Sequence, residues 1–275
     1  MNEGAVFATF VVVFREALEA GLIIGIILTV LARQKAHHHY FSTIIASSAA
    51  ALVLSFVAGN WIAGLADSAQ DAAKVIIEGS ISLIASAVLT YMFFWMERQA
   101  RHLKSEIQSK VEVALSKRDY IAMVALPFFA VFREGAETVL FLKAVAIQSG
   151  GNVSWQGGLT GLLAASAISA LIFVWGRRVP LKPLFRGTGF FILLMAAGLL
   201  AYGIHELEEA GFVPQFIYPL YNINGFLDEK GGVGSFLKAI FGYNGNPSLT
   251  EVICYWTYLA VVLGVFFKRE KEAKV

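Results

Sequence analysis

Apolar residues dominate this chain in runs of 20 or more, interrupted by short clusters of Lys, Arg and Gly. A bilayer span needs about 20 mostly apolar residues. Seven stretches meet that need, near 4–32, 41–66, 73–96, 120–148, 156–176, 184–209 and 249–268. The pattern predicts an all-α polytopic membrane protein with seven transmembrane helices in a single membrane domain over 1–275. The last helix has the clearest start, because Asn246-Pro247 precedes Ser248-Leu-Thr-Glu251, a capping-box arrangement.

Composition points the same way. The 275 residues are 57% hydrophobic and 15% charged, with a mean hydropathy of +0.65, too apolar for a soluble domain of this length. Membrane lipid is therefore the expected surrounding. The net charge of +2 gives no support to a nucleic-acid partner. A single cysteine, Cys254, excludes an intrachain disulfide framework and a Cys-based zinc site. The N-terminal apolar stretch lacks a basic leader and carries Arg15, Glu16 and Glu19, so it reads as a retained helix and not a cleaved signal.

Charge between the spans predicts orientation. One side collects Arg33 and Lys35, then Arg98 to Arg118, then Arg177 to Arg186, then Lys268 to Lys274; the other has Lys74, Lys230 and Lys238. Basic loops face the cytoplasm. The expectation is an N-terminus outside, a C-terminus inside, and residence in the plasma or inner membrane. On the basic side, segment 98–119 places Leu103, Ile107, Val111 and Leu115 four apart among charges. That predicts an amphipathic cytoplasmic helix lying against membrane or bundle. Outside, the stretch 210–247 is aromatic and glycine-rich, with Pro214, Pro219 and Gly231-Gly232. Its sequence leaves lid, interfacial segment and docking surface open.

Spans 1 and 4 share a core, Phe14-Arg15-Glu16-Ala-Leu-Glu19 and Phe132-Arg133-Glu134-Gly-Ala-Glu137. Spans 3 and 6 echo each other more weakly, from Glu78-Gly79-Ser80 to Tyr91 and from Arg186-Gly187-Thr188 to Tyr202. Three helices per unit make the second unit enter from the opposite face. The predicted architecture is a 3+3 inverted repeat, 1–97 and 120–209, joined by the 98–119 linker. An extracytoplasmic loop at 210–247 and a seventh helix with its tail at 248–275 follow. Inverted repeats with a midplane site are characteristic of transporters.

A charged residue at a helix centre costs about 2.5 to 3.5 kcal/mol on insertion scales, and here three fall within five residues, twice. At about 100° per residue, Arg15, Glu16 and Glu19 share one face, as do Arg133, Glu134 and Glu137. If the helices cross, Glu16, Glu19, Glu134 and Glu137 converge, and four close carboxylates need pairing, protonation or a cation. Arg15 and Arg133 supply part of the pairing; a hard cation supplies the rest. Oxygen ligands alone suit Fe³⁺, Mn²⁺, Mg²⁺ or Ca²⁺. The bland alternative is a structural Arg-Glu clamp with no ligand. Repetition of the cluster, with two carboxylates per arginine, weighs against it.

With Arg-Glu-x-x-Glu at 15–19 and 133–137, in the first and fourth helices, the chain resembles the oxidase-dependent iron transporters, the fungal high-affinity iron permeases and bacterial EfeU-type permeases. The resemblance extends to seven spans, the N-out orientation and Glu209-Ala210-Gly211 after span 6. It implies a permease and not an enzyme, importing iron through the four glutamates, as Fe³⁺ after oxidation of Fe²⁺ at the outer face. It further implies iron as the transported ion, no organic cofactor, and an extracytoplasmic ferroxidase or other iron-handling partner. Rival readings are a transporter of another divalent metal such as Mn²⁺ or Pb²⁺, an intramembrane di-iron oxidase, and a structural scaffold. The oxidase is weakened by the absence of a Glu-x-x-His pair from both motifs.

Further candidates lie at the two faces. Ten acidic residues, among them Asp67, Glu78, Glu206, Glu208 and Glu209, fall on the outer side and would concentrate cations there. His205 with Glu208 or Glu209, and Glu206 with Glu209, have spacings that fit a shared ion at the outer entrance; with no partner motif evident in the sequence, a solvated helix end is the favoured reading. His37, His38 and His39, beside Arg33 and Lys35, are candidates for a cytoplasmic exit, against the reading of an incidental loop cluster.

Overall fold

In lipid a lone backbone satisfies its own amides only as an unbroken helix, and long apolar runs between Gly, Pro and basic clusters fold accordingly. The structure, a computed structural model, describes residues 3–34, 37–67, 71–99, 103–151, 153–173, 181–229 and 231–272; the side chains of 37–39, 62–63, 65–67, 71–72, 97–99, 103–104, 181–182 and 270–272 are outside the description. Among the described residues there are nine helices and no strand. They are α1 (Glu3–Arg33), α2 (His37–Asp67), α3 (Asp71–Gln99), α4 (Leu103–Ser116), α5 (Tyr120–Gln148), α6 (Trp155–Phe173), α7 (Leu181–Glu209), α8 (Gly232–Phe241) and α9 (Leu249–Glu272). Five of them, α2, α3, α6, α7 and α9, are long and apolar enough to cross a membrane. Helices α1 and α5 are as long, 31 and 29 residues, and only the charged motifs at their centres keep them outside that compositional limit.

The principal pairings are α1 with α6, α5 with α2, and α3 with α7, while α1 and α5 cross each other. Each three-helix segment thus lends its second helix to the first helix of the other. The first pair closes on glycine. A Cβ at Gly161 would lie 2.8 Å from the Phe10 carbonyl oxygen and 3.0 Å from the Phe14 nitrogen, and Gly157 sits as tightly on Val6 and Thr9. Close helix approach through small residues is how membrane helices gain packing energy. Gly161→Ala is therefore expected to force α6 off α1 and lower the melting temperature of the purified protein by several degrees. Gly64→Ala and Gly187→Ala, at positions where a Cβ meets nothing within 4 Å, should leave it unchanged or slightly raised.

Contacts between helix ends fix relative direction. Gly4 abuts Phe236 and Ser235, the Ser154 N–H donates to Thr9 Oγ1 at 3.3 Å, and Gly198 lies against Gly242 and Gln148. The start of α1, the ends of α5 and α7, and α8 therefore share one end of the bundle. At the other end Leu31, Ile44, Val111, Ala114 and Met123 join the end of α1, the start of α2, α4 and the start of α5 in one apolar cluster. Helices α1 and α5 run antiparallel. The amphipathic α4 packs on the bundle: Val111 and Ala114 are buried, with Ile107 and Leu115 against the same cluster.

A second apolar layer lies nearer the α8 end. It holds Ala8, Val11 and Val12 of α1, Leu89 and Met92 of α3, Phe141 and Val145 of α5, and Ile192, Met195 and Leu199 of α7. Along both α1 and α5 the charged motif sits between the two layers.

The stretch 210–247 is more ordered than its glycines suggest. It contains α8, ended by Gly242 at φ 67°, a left-handed conformation that glycine adopts without strain. Glu229 ties it together, accepting from Lys238 Nζ at 2.8 Å and from the Gly245 N–H at 2.7 Å. The predicted capping box forms at the start of α9. The Ser248 N–H donates to Glu251 Oε1 at 2.9 Å, and the Glu251 N–H donates to Ser248 Oγ at 3.1 Å.

Candidate metal centre

Helical spacing puts Arg15, Glu16 and Glu19 on one face of α1, and burial of that face against α5 turns all three inward. Arg15 Nη1 donates to Glu16 Oε1 at 2.5 Å, and its Nη2 lies 3.1 Å from Glu19 Oε1. On α5, Arg133 donates to Glu134 Oε1 from Nε at 3.0 Å and from Nη2 at 2.5 Å, and its Nε lies 3.6 Å from Glu137 Oε1. Leu18 and Leu22 face away from this cluster and pack with Ala165 of α6.

The two motifs meet. One carboxylate oxygen from each of Glu16, Glu134 and Glu137 lies within 4.8 Å of the others. Glu19 stays outside this trio, held by Arg15. Three buried oxygens, Glu16 Oε2, Glu134 Oε2 and Glu137 Oε2, have no hydrogen-bond partner, and Glu19 Oε1 has only its ion pair with Arg15. Four carboxylates and two guanidiniums leave a formal charge of −2. An unpaired buried anion is costly, and a cation shared by three glutamates would relieve that cost. The donor set is all oxygen, which fits a hard ion.

The two motifs carry the same charged residues at the same spacing but differ in surroundings. The Arg15 side chain is 3% exposed and the Arg133 side chain 41%. Consecutive residues near the end of α3 touch both arginines. Arg15 Nη2 donates to Met96 Sδ at 2.7 Å, and the Arg133 guanidinium stacks 4.6 Å from the centroid of the Trp95 ring. Neither residue stands out in the sequence, where Trp95-Met96 reads as the aromatic end of an apolar span.

At the α8 end, His205 Nδ1 lies 3.0 Å from Glu251 Oε1 and its Nε2 lies 3.4 Å from Glu209. His205, Glu208 and Glu251 present ligand atoms within 4.8 Å of one another. Of the outer candidates, the structure brings His205 and Glu208 to a common point and adds Glu251, which the sequence marks as a helix cap and as one of the ten acidic residues of the outer side. Glu206 packs beside Gly79. Glu78 lies 4.0 Å from Lys74 Nζ. Burial, together with the nearby Glu251 carboxylate, raises the Tyr221 hydroxyl above its ordinary value, so it stays a neutral donor at this face. The side chains of Asp67, His37, His38 and His39 lie outside the described residues.

Comparison with known proteins places these features in context. Residues 6–270 match the family described as the iron permease FTR1 family. The chain is 33% identical over 263 residues to a ferrous iron permease EfeU of Yersinia pestis, covering 95% of this chain and 93% of that one. It is 34% identical over 263 residues to a ferrous iron permease EfeU of Escherichia coli O6:H1, covering 94% of this chain and 95% of that one. No solved structure matches it.

Proposed function

The chain belongs to the iron permease FTR1 family, and from that premise we propose that it imports iron across the cytoplasmic membrane through the Glu16, Glu134 and Glu137 cluster, with Glu19 as a further transit ligand. The observation that carries this reading is the convergence of three carboxylates from two different helices, Glu16 and Glu134 buried and Glu137 half-buried, each with one oxygen that has no hydrogen-bond partner. Arg15 and Arg133 balance charge when no ion is present.

In this reading α1 and α5 also span the bilayer, which makes seven spans with the N-terminus outside and the C-terminus inside. The exchange of α2 and α6 between the two halves, and the antiparallel crossing of α1 and α5, support a 3+3 inverted repeat. Apolar layers on both sides of the cluster support alternating access by rocking of one half against the other.

Ferric transit, after oxidation of Fe²⁺ by an extracytoplasmic partner, is favoured by the all-oxygen donor set. Ferrous transit is favoured by the formal charge of −2, which a divalent ion neutralises; the relatives named above are ferrous iron permeases. The test is uptake of radiolabelled iron by the purified chain in liposomes, supplied as Fe²⁺ under ascorbate or as chelated Fe³⁺, with Mn²⁺ and Pb²⁺ as competitors. Saturable iron uptake that these competitors do not abolish is the expected result. Equal uptake of Mn²⁺, or no uptake of either form of iron, would sink the assignment.

A further inference from the structure

The meeting of α7 with the start of α9 builds a second cluster that the transit site does not use. His205 and Glu208 are one turn apart on α7, and Glu251 of α9 completes a trio whose ligand atoms lie within 4.8 Å of one another. Two of the three are held in place. Glu251 Oε1 accepts from the Ser248 N–H at 2.9 Å and its Oε2 from Asn244 Nδ2 at 2.8 Å, while His205 Nδ1 rests 3.0 Å from Oε1.

Glu208 is the exception. It is 7% exposed, and both of its carboxylate oxygens are buried with no hydrogen-bond partner. Lys238, the amine lining the adjoining cavity, is already bound to Glu229. A buried acceptor left unmatched costs free energy in full, and a bound water or ion is one of the few reasons a native structure keeps such a group. The adjoining cavity of about 180 Å³ is lined by His205, Glu206, Glu251, Tyr202 and Gln148. Gln148 is 2% exposed, and its amide nitrogen and oxygen are also unpartnered. Ion and ion-bound water both have room and partners here.

We propose that His205, Glu208 and Glu251 form a second cation site at the outer mouth, selective for a divalent transition ion of the Fe²⁺, Mn²⁺ or Zn²⁺ class. One imidazole with two carboxylates suits borderline ions over Mg²⁺ and Ca²⁺, which take oxygen alone. The preference contrasts with the all-carboxylate cluster in the core. As a staging post that collects a divalent ion before transit, the site rests on the transport reading; as a cation site it does not.

The experiment is Mn²⁺ titration of the full chain in detergent, with free Mn²⁺ read by electron paramagnetic resonance. Two binding classes are expected in the wild type. Glu208→Gln, which keeps the side chain's shape, should weaken one class by about 10- to 100-fold and leave the other, while Glu16→Gln does the reverse. Pulsed measurement should show imidazole nitrogen coupling to Mn²⁺ in the Glu16→Gln variant and lose it in His205→Ala. Wild-type stoichiometry and affinity in Glu208→Gln would overturn the proposal. Wild-type binding in Glu16→Gln would count against the core site alone and leave the outer site standing.

Discussion

Glu16→Gln is expected to cut iron uptake by about 100-fold or more, in a protein that is as stable as the wild type or more stable. The two halves of this expectation arise from the same geometry. Glu16 gives one oxygen to Arg15 and leaves the other buried without a partner. Glutamine keeps the volume and one carbonyl oxygen for Arg15 while removing a buried charge, so the empty state loses a strain and not a support. An ion shared with Glu134 and Glu137 loses an anionic ligand. Uptake into liposomes and thermal melting, measured on one preparation, check both halves. A purely structural clamp requires the opposite pairing, with stability lost and uptake reduced only in proportion to the protein that survives.

Arg15→Gln is expected to be strongly destabilising, by about 3 to 5 kcal/mol, because it strands Glu16 and Glu19 in a buried site without their cation. Arg133→Gln, the same change in the same motif, should cost far less, since that side chain is 41% exposed. The double variant Arg15→Gln with Glu16→Gln should recover most of the lost stability and none of the uptake. Chemical denaturation in detergent compares the three variants. Equal effects of Arg15→Gln and Arg133→Gln would show that the asymmetry between the motifs carries no energy.

That asymmetry marks where sequence stops being informative. Seven long helices are legible because each apolar run must bury its own backbone bonds, and the motifs in α1 and α5 are legible because charge in such a run is expensive. Those same charges give α1 and α5 more ionisable residues than a typical span carries, so the feature that reveals the site obscures the helices that carry it. The different exposures of Arg15 and Arg133 depend on Trp95 and Met96, some 80 and 38 residues distant from them along the chain, and no local pattern encodes that contact. Glu251 is legible as a capping residue from its three-residue spacing to Ser248; its place beside His205, 46 residues earlier, exists only once α9 docks on α7. Helix α8 hides behind the glycines at 231, 232 and 234, which read as loop until its apolar side packs on α1 and α7.

The two apolar layers on either side of the core carboxylates have an electrical consequence. If ions pass through the carboxylate cluster as proposed, packed side chains on both sides of it would leave no continuous column of water, and neither protons nor small cations would run down the membrane potential between transport events. Each ion would then move only when one layer parts while the other stays shut. Turnover would then be tied to helix rearrangement, on a scale of about microseconds to milliseconds or slower, and not to ionic diffusion. In a planar bilayer it would give a saturating, carrier-sized flux and no resolvable unitary current.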